Sequence, residues 1–211
     1  MGELRHLSEL MAGAREAESQ QATTLLLDGR PKPPETISGL PPARLEDGFT
    51  TFDLKRNPGM KAAYDRCWAV SAGQEWCAFL AGPPGTGKTH LAIGAMKAYG
   101  LSRSMFWKVP DFLDWLRTKA YSDGGEKLPL DTLLGGYREG EALVVFDDLG
   151  VENQTDWVHE QLYRVLDARY DSRLPTIITT NTAEGRIDDR IRSRYAEGLV
   201  VCKGKDIRRL S

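Results

Sequence analysis

The residues best suited to chemistry lie between positions 82 and 90, where the sequence reads GPPGTGKTH. From Gly82 to Thr89 it matches the phosphate-binding pattern G-x-x-x-x-G-K-[ST] at every fixed position. Glycines in such a loop allow backbone conformations in which successive amide hydrogens converge on the β- and γ-phosphates of a nucleotide. Lys88 adds a positive charge for these phosphates, and the Thr89 hydroxyl is a ligand for Mg²⁺. The stretch therefore predicts binding of a nucleoside triphosphate with Mg²⁺.

The flanks of this loop predict a strand before it and a helix after it. Residues 79–81 form a short apolar run, and apolar residues from Leu91 to Tyr99 recur at helical spacing. A chance glycine-rich turn is the alternative, and the order of strand, loop and helix disfavours it. The predicted nucleotide-binding residues are Gly82, Pro83, Pro84, Gly85, Thr86, Gly87, Lys88, Thr89 and His90.

A second candidate site follows the apolar run from Leu143 to Phe146, which is typical of a strand covered on both faces. The run leads directly into Asp147 and Asp148. Beside a phosphate loop, the first carboxylate would hold Mg²⁺, and the second would orient or deprotonate water. A solvated pair of aspartates at a strand end is the alternative, and the loop upstream favours the metal and water roles.

Length and composition limit the classes of protein that the chain can represent. Its 211 residues suit one main domain with a short extension. A formal net charge of −2 provides no overall basic field, so any nucleic-acid contact has to be local. The three cysteines lack Cys-x-x-Cys spacing, which argues against disulfides and zinc and favours the cytoplasm. No apolar run approaches the roughly 20 residues that span a bilayer, so no membrane contact is expected.

The first 45 residues are predicted to form a separate element. Residues 3–18 place apolar side chains at helical spacing, as in an amphipathic helix that grips a partner or docks on its own domain. Five prolines between positions 28 and 42 exclude a helix and a central strand and indicate a linker. The predicted domains are therefore residues 1–45, the possible partner-binding element, and residues 46–211, the nucleotide-binding domain.

Strands and helices alternate through the second of these domains. Further strands are predicted at Ser104–Val109, Thr176–Thr180 and Leu199–Cys202, which brings the number to five. Helices are predicted near residues 60–64, from Lys88, and at about 110–119, 128–136, 155–171 and 185–194. This alternation predicts a parallel sheet covered by helices on both faces, with the nucleotide at the carboxyl ends of the strands.

The last predicted helix carries Arg186, Arg190 and Arg194 on one face. A solvated surface and a set of arginines held near a phosphate both produce this spacing, and the residues alone leave the two open.

Six segments occur in the order typical of a known family: GPPGTGKTHLA, VVFDDLG, TDWVHEQLYRVLDARY, TIITTN, DDRIRSR and GKDIR. From about residue 49 to 211, the chain resembles the DnaC/DnaI helicase loaders and their IstB-like relatives, which are AAA+ ATPases. The resemblance implies an α/β fold of the AAA+ P-loop NTPase type, here with a five-stranded parallel sheet. It also implies a minimal or absent lid, because the sequence stops almost directly after Arg208.

The resemblance assigns roles to individual residues. Lys88 and Thr89 correspond to the Walker A residues, and Asp147 and Asp148 to Walker B. Asn181 corresponds to sensor 1, which helps to place the attacking water.

Arg194 resembles the arginine finger offered to a neighbouring subunit, with Arg190 as the second candidate for that role, and Arg208 corresponds to sensor 2. Many AAA+ motors have Glu where this chain has Asp148, a departure that predicts a slow ATPase acting as a switch.

The resemblance further implies contact with single-stranded DNA through the helix predicted at 110–119. Trp107 and Trp115 would stack on bases, whereas Lys108, Arg117 and Lys119 would neutralise phosphates. The alternative is that these aromatic rings belong to the core.

The prediction is therefore an ATP- and Mg²⁺-dependent helicase loader that forms a homo-oligomer when ATP is bound. It would engage a hexameric replicative helicase and single-stranded DNA during replication initiation. An IstB-like helper of a transposase is the first alternative, and a nucleotide-gated DNA-binding adaptor with little turnover is the second. The short N-terminal region with its proline linker favours the loader, because it suits a tethered partner-binding element.

Overall fold

The computed structural model describes residues 39–117, 142–150, 155–181 and 187–206. Several predictions fall outside these ranges and stay predictions: the amphipathic helix at 3–18, most of the proline-rich linker, the helix at 128–136, and the roles of Lys119, Arg186 and Arg208.

Five strands form one sheet, in agreement with the sequence prediction. They are β1 (Cys77–Ala81), β2 (Ser104–Lys108), β3 (Leu143–Asp147), β4 (Thr176–Thr180) and β5 (Leu199–Val201). Each neighbouring pair is parallel, and the spatial order is β2-β3-β4-β1-β5. The strands that lead into the phosphate loop, the aspartate pair and Asn181 are thus β1, β3 and β4, which are immediate neighbours. Their carboxyl ends meet at one edge of the sheet.

Helices cover the sheet on both faces. In the described ranges they are α1 (Lys61–Ser71), α2 (Lys88–Tyr99), α3 (Val109–Trp115), α4 (Asp156–Asp171) and α5 (Asp189–Arg194). One apolar cluster joins Phe79 and Phe146 to residues of α3 and α4, whereas the other joins Leu80 and Val145 to residues of α1 and α2. Neighbouring strand residues belong to different clusters because side chains alternate between the faces of a sheet. Among the described residues, no helix is long and apolar enough to cross a membrane.

Capping side chains define where two of the helices begin. The Thr155 hydroxyl accepts a hydrogen bond from the Val158 amide at 3.3 Å, so α4 begins directly after it, as predicted. The Asp188 side chain accepts a hydrogen bond from the Arg190 amide at 2.9 Å, so α5 begins at Asp189. The start predicted at 185 is therefore corrected within the described part of the chain: residues 187 and 188 precede the helix.

A fully buried arginine fastens α4 to the sheet. The Arg169 guanidinium donates hydrogen bonds to the Ala142 and Pro175 carbonyls, both at 2.8 Å, and to the Thr176 hydroxyl at 3.0 Å. These groups lie at the starts of β3 and β4, so one side chain holds two adjacent strands in register at the edge opposite the phosphate loop.

Residues before α1 pack closely on the sheet and on the helices α1 and α2. A β-carbon at Gly39 would lie 2.1 Å from the Phe106 carbonyl oxygen of β2, and Phe49 is buried beside α1 and α2. The contact at Gly39 lies six residues before the end of the predicted N-terminal element, whose boundary at residue 45 otherwise stays a prediction.

Candidate nucleotide-binding site

The phosphate loop joins β1 to α2 at the carboxyl edge of the sheet. Gly85 and Gly87 have φ values of 76° and 100°, in the left-handed region that favours glycine. Gly87 also needs to lack a side chain for a second reason, because a β-carbon there would lie 2.5 Å from the Phe52 ring. The local geometry thus explains why the sequence needs glycine at these loop positions.

Lys88 is the first residue of α2, and its buried side chain turns back over the loop. Its ammonium group donates hydrogen bonds to the Gly82 carbonyl at 2.9 Å and the Pro83 carbonyl at 2.7 Å. It also donates to the Asn181 side-chain oxygen at 2.8 Å. The loop carbonyls are neutral partners, which a phosphate oxygen can replace with a stronger, charge-assisted bond.

Thr89 and Asp147 form an oxygen pair beside Lys88. The Thr89 hydroxyl donates to Asp147 Oδ1 at 2.8 Å, and the Thr179 hydroxyl of β4 donates to the same oxygen at 2.6 Å. Burial raises the pKa of Asp147, the two hydroxyl bonds oppose this effect, and the neighbouring Asp148 adds to it. A buried carboxylate that needs a counter-charge and a hydroxyl beside it suit a hard divalent cation such as Mg²⁺. Within the described ranges, no group of three or more His, Cys, Asp or Glu side chains forms a separate metal site.

Asp148 adopts a left-handed backbone conformation with φ of 62°, which aspartate tolerates better than most residues. Its amide donates to the Thr179 hydroxyl at 3.0 Å, which fixes the turn against β4. Its carboxylate accepts a hydrogen bond from the Asn181 side-chain nitrogen at 2.6 Å. Asn181 therefore connects Lys88 to Asp148, and the three hydrogen-bonded side chains lie beside the phosphate loop.

His90 ties the segment before α1 to α2. Its Nε2 atom lies 3.1 Å from the Gly48 amide nitrogen and 3.0 Å from the Thr51 hydroxyl, and its Nδ1 atom lies 3.4 Å from an Asp47 carboxylate oxygen. The nucleotide contact predicted for His90 stays a prediction, although the residue does line the cavity.

The loop opens into a cavity of about 440 Å³. Four residues of the predicted site line its wall: Lys88, Thr89, Asp148 and Asn181. Three further wall residues were not predicted from the sequence: Ala43, Arg44 and Asp47. No local signal marks the last three, because only long-range packing brings their segment to the loop. The positions of Pro84, Gly85 and Gly87 in the wall agree with their prediction as loop residues.

Arg194 and Arg190 lie away from this cavity, on α5 against α4. Arg194 forms an ion pair with Asp167, and its guanidinium stacks over the Tyr163 and Tyr170 rings at 4.9 and 5.7 Å. Arg190 pairs with Asp188 at 2.7 Å and is more exposed than Arg194. In a single chain, both arginines therefore contact acidic groups of the same chain, and a role on a neighbouring subunit's nucleotide stays a prediction.

The residues predicted to contact DNA have different environments. Trp107 is half-buried against Phe112 and Trp115, and its indole nitrogen has no hydrogen-bond partner within the part of the chain that the structure describes. Trp115 is buried in the apolar cluster, which favours the core alternative for this ring. Lys108 is exposed at the end of β2, and Arg117 stacks over Trp157 at 4.9 Å.

Comparisons with known proteins agree with this site and fold. A profile of the family described as IstB-like ATP binding protein matches residues 72–192, more than half of the chain. Phage-like element PBSX protein XkdC of Bacillus subtilis strain 168 is 32% identical over 142 residues, which cover 59% of this chain and 50% of XkdC. The chain thus spans about half the length of that relative.

Two solved structures show the same architecture. The DnaC helicase loader superposes with a TM-score of 0.64 at 24% identity, covering 77% of this chain and all of that one. DnaI superposes with a TM-score of 0.61 at 19% identity, covering 81% of this chain and 96% of that one. At these identities the likeness establishes the fold, which is that of the AAA+ P-loop NTPases. Together with the family profile, it confirms the resemblance drawn from the sequence motifs: the chain belongs to the IstB-like ATP binding protein family.

Proposed function

We propose that this chain is a slow ATPase that uses ATP and Mg²⁺ to control contact with a hexameric replicative helicase and single-stranded DNA. One observation carries the ATPase part: Lys88, Asn181 and Asp148 form a hydrogen-bonded chain beside the Thr89–Asp147 pair. A cation for phosphate, a carboxylate for water and the Thr89 hydroxyl thus line a single cavity. The buried Asp147 accepts a hydrogen bond from that hydroxyl, which completes an oxygen pair for Mg²⁺.

The residues at this cavity fit both ATP and Mg²⁺. Phosphate oxygens can replace the two loop carbonyls as partners of the Lys88 ammonium group. Thr89 and Asp147 provide the hard oxygen donors that Mg²⁺ prefers. When bound, Mg²⁺ supplies positive charge that neutralises the β- and γ-phosphates.

Asp148 and Asn181 are the residues that would act on the attacking water. The Asp148 carboxylate would accept a proton from this water, and Asn181 would fix its position because it already bonds to Asp148 on one side and Lys88 on the other. Aspartate is one methylene shorter than the glutamate of many AAA+ motors, so it reaches less far toward the water. Slow turnover follows, which suits a switch better than a motor.

The helicase part of the proposal rests on motif order and on the shared fold with the DnaC helicase loader and DnaI. Subunits would assemble side by side when ATP is bound, with Arg194 of one subunit reaching the nucleotide of the next. An IstB-like helper of a transposase is a second candidate, favoured by the family description. A nucleotide-gated adaptor with little turnover is a third, favoured by the short side chain of Asp148.

Phosphate release and co-elution distinguish these candidates. Wild-type protein should release phosphate from ATP, and Lys88→Ala should not, although its circular dichroism spectrum should show that it still folds. With ATP, the wild-type protein should co-elute with the purified replicative helicase hexamer of the same source, and Lys88→Ala should not. Co-elution with a transposase instead of the helicase would establish the second candidate, and nucleotide binding without phosphate release would establish the adaptor.

Contact with single-stranded DNA is proposed to centre on Lys108, which is exposed at the carboxyl edge of the sheet, opposite Asp147 in the β2–β3 register. Lys108→Ala should flatten the salt dependence of binding to a fluorescent oligo-dT by about 0.7 in slope, the value for one phosphate contact on a single strand. Anisotropy titrations with ATP at several salt concentrations measure this slope. An unchanged slope places the DNA contact elsewhere.

A further inference from the structure

Asn57 is a fully buried polar residue at the end of the segment that leads into α1. Only 1% of its surface is exposed, and it immediately precedes the short turn of 3₁₀ helix at Pro58–Met60. Its own amide donates to the Asp53 carbonyl at 3.2 Å, which fixes its backbone. A buried amide side chain needs partners, because an unsatisfied polar group in the interior destabilises the fold.

Both ends of the Asn57 side chain have partners in distant parts of the chain. Its nitrogen donates to the Thr86 carbonyl of the phosphate loop at 3.0 Å and to the Lys205 carbonyl at 3.2 Å. Its oxygen accepts a hydrogen bond from the Lys205 amide at 3.0 Å. With both nitrogen hydrogens and the oxygen engaged, the orientation of the side-chain amide is fixed.

Three glycines allow the chain after β5 to lie directly against this junction. A β-carbon at Gly204 would lie 2.6 Å from the Asn57 side-chain nitrogen, and one at Gly59 would lie 2.7 Å from the Lys203 carbonyl oxygen. A β-carbon at Gly85, within the phosphate loop, would lie 1.9 Å from an Asp206 carboxylate oxygen. Residues 203–206 therefore contact both Asn57 and the loop, and a larger residue at Gly59 or Gly204 would not fit between them.

The bond to Thr86 bears directly on the phosphate site. The Thr86 carbonyl and the Gly87 amide belong to the same planar trans peptide, in which the C=O and N–H groups point in opposite directions. Fixing the carbonyl on Asn57 therefore fixes the Gly87 N–H on the opposite side of that peptide. Gly87 lines the cavity. Donors held in place before a ligand binds do not have to be reoriented when it arrives.

We propose that Asn57 is a positioning residue that holds the Gly87 amide ready for phosphate and couples the loop to residues 203–206. This inference rests on the proposed ATP-binding function. Binding of nucleotide at the loop then stabilises the conformation of residues 203–206 through the shared Asn57 amide. Loss of the Asn57 amide should weaken nucleotide binding and disconnect those residues from it.

Asn57→Ala is the first test, with Ser104→Ala as the matched control. Ser104 is equally buried and bonds to the Gly100 carbonyl at 2.8 Å, but at the far end of α2 from the loop. Asn57→Ala should raise KM for ATP and Kd for AMPPCP, a non-hydrolysable analogue of ATP, by up to about tenfold, because the Gly87 peptide then has to be ordered when the nucleotide binds. It should change kcat less than about threefold. Ser104→Ala should lower the melting temperature without changing KM or Kd.

Hydrogen exchange provides a readout that a purely structural role would not move. In the wild-type protein, AMPPCP should increase protection of the amides at 203–206, and in Asn57→Ala it should not. Gly204→Ala tests the same junction from the other side and serves if Asn57→Ala does not fold, because the added methyl displaces the chain while the Asn57 side chain is retained. It should show the same rise in Kd.

The outcomes separate the inference from the function on which it rests. A wild-type protein that neither binds AMPPCP nor hydrolyses ATP overturns the proposed function and the inference with it. An active wild-type protein, with Kd and nucleotide-dependent protection unchanged in both Asn57→Ala and Gly204→Ala, overturns the inference alone.

Discussion

Replacing Asn181 by Ala should slow ATP hydrolysis far more than it weakens ATP binding. The side chain accepts a hydrogen bond from the Lys88 ammonium at 2.8 Å and donates one to the Asp148 carboxylate at 2.6 Å. Lys88 keeps two loop carbonyls as partners after the change, so its position over the loop survives. Asp148 loses the side chain that orients its carboxylate toward water.

The size of the effect follows from these two bonds. Hydrogen bonds to charged groups contribute about 1.5 to 3 kcal/mol each, and the exposure of Asn181 favours the lower end, about 3 kcal/mol for the pair. Only the part that strengthens in the transition state affects kcat, and each 1.4 kcal/mol corresponds to about a factor of ten. We therefore expect kcat to fall between about tenfold and a hundredfold, with KM within about threefold of the wild-type value.

Steady-state phosphate release over a range of ATP concentrations measures both parameters, and a melting curve checks the fold. Asn181→Asp is the informative companion: it keeps an acceptor for Lys88, loses the donor to Asp148 and adds a like charge beside it. This variant should be slower than Asn181→Ala. A wild-type kcat in Asn181→Ala, with the fold intact, would refute the positioning role.

The remaining predictions concern the metal, the subunit interface and the core. Burial raises the pKa of the Asp147 carboxyl group, so folding favours its protonated form. This group therefore stabilises the folded state at low pH, and the stabilisation is lost as pH rises through the raised pKa. Asp147→Asn should therefore raise the melting temperature of the ligand-free protein at neutral pH. It should also raise the Mg²⁺ concentration that half-maximal ATP binding requires by at least about tenfold. Arg194→Ala should bind ATP nearly normally but hydrolyse it up to about a thousandfold more slowly, and mixing it with Lys88→Ala should restore some activity. If the two variants co-assemble without regaining activity, Arg194 does not act in trans. Trp107→Ala should lower the melting temperature because its ring packs on Phe112, and an unchanged melting curve would favour base stacking instead.

The sequence predicted the sheet and the phosphate loop because both depend on local patterns. The strand at Thr176–Thr180 agrees with its prediction residue for residue, since a β-branched run between Pro175 and Asn181 has clear limits. The loop pattern names its residues directly, and parallel topology brings the ends of β1, β3 and β4 together. The sequence therefore places Asp147, Asp148 and Asn181 at one edge of the sheet, and their catalytic roles stay predictions.

Long-range packing supplied what the sequence did not indicate. Asn57 reaches partners 29 and 148 residues away, and no local pattern marks an asparagine with that role. Ala43, Arg44 and Asp47 reach the cavity only because the segment before α1 packs on α2. The burial of Trp115 is another such case, since a tryptophan on an amphipathic helix has the same local pattern whether its ring meets core or solvent.

The ion pair between Arg194 and Asp167 bears on whether Arg194 can serve a neighbouring subunit. Both side chains are partly exposed, so solvent screens the ion pair and it contributes little to stability. An arginine that stabilises phosphoryl transfer accelerates it by about a thousandfold or more, which corresponds to about 4 kcal/mol. Releasing Arg194 from Asp167 therefore costs much less than the contact with a neighbour's phosphate would return. Until a neighbour docks, Asp167 and the Tyr163 and Tyr170 rings hold the guanidinium in one place on α5, so the pairing within a single chain is compatible with a role between chains.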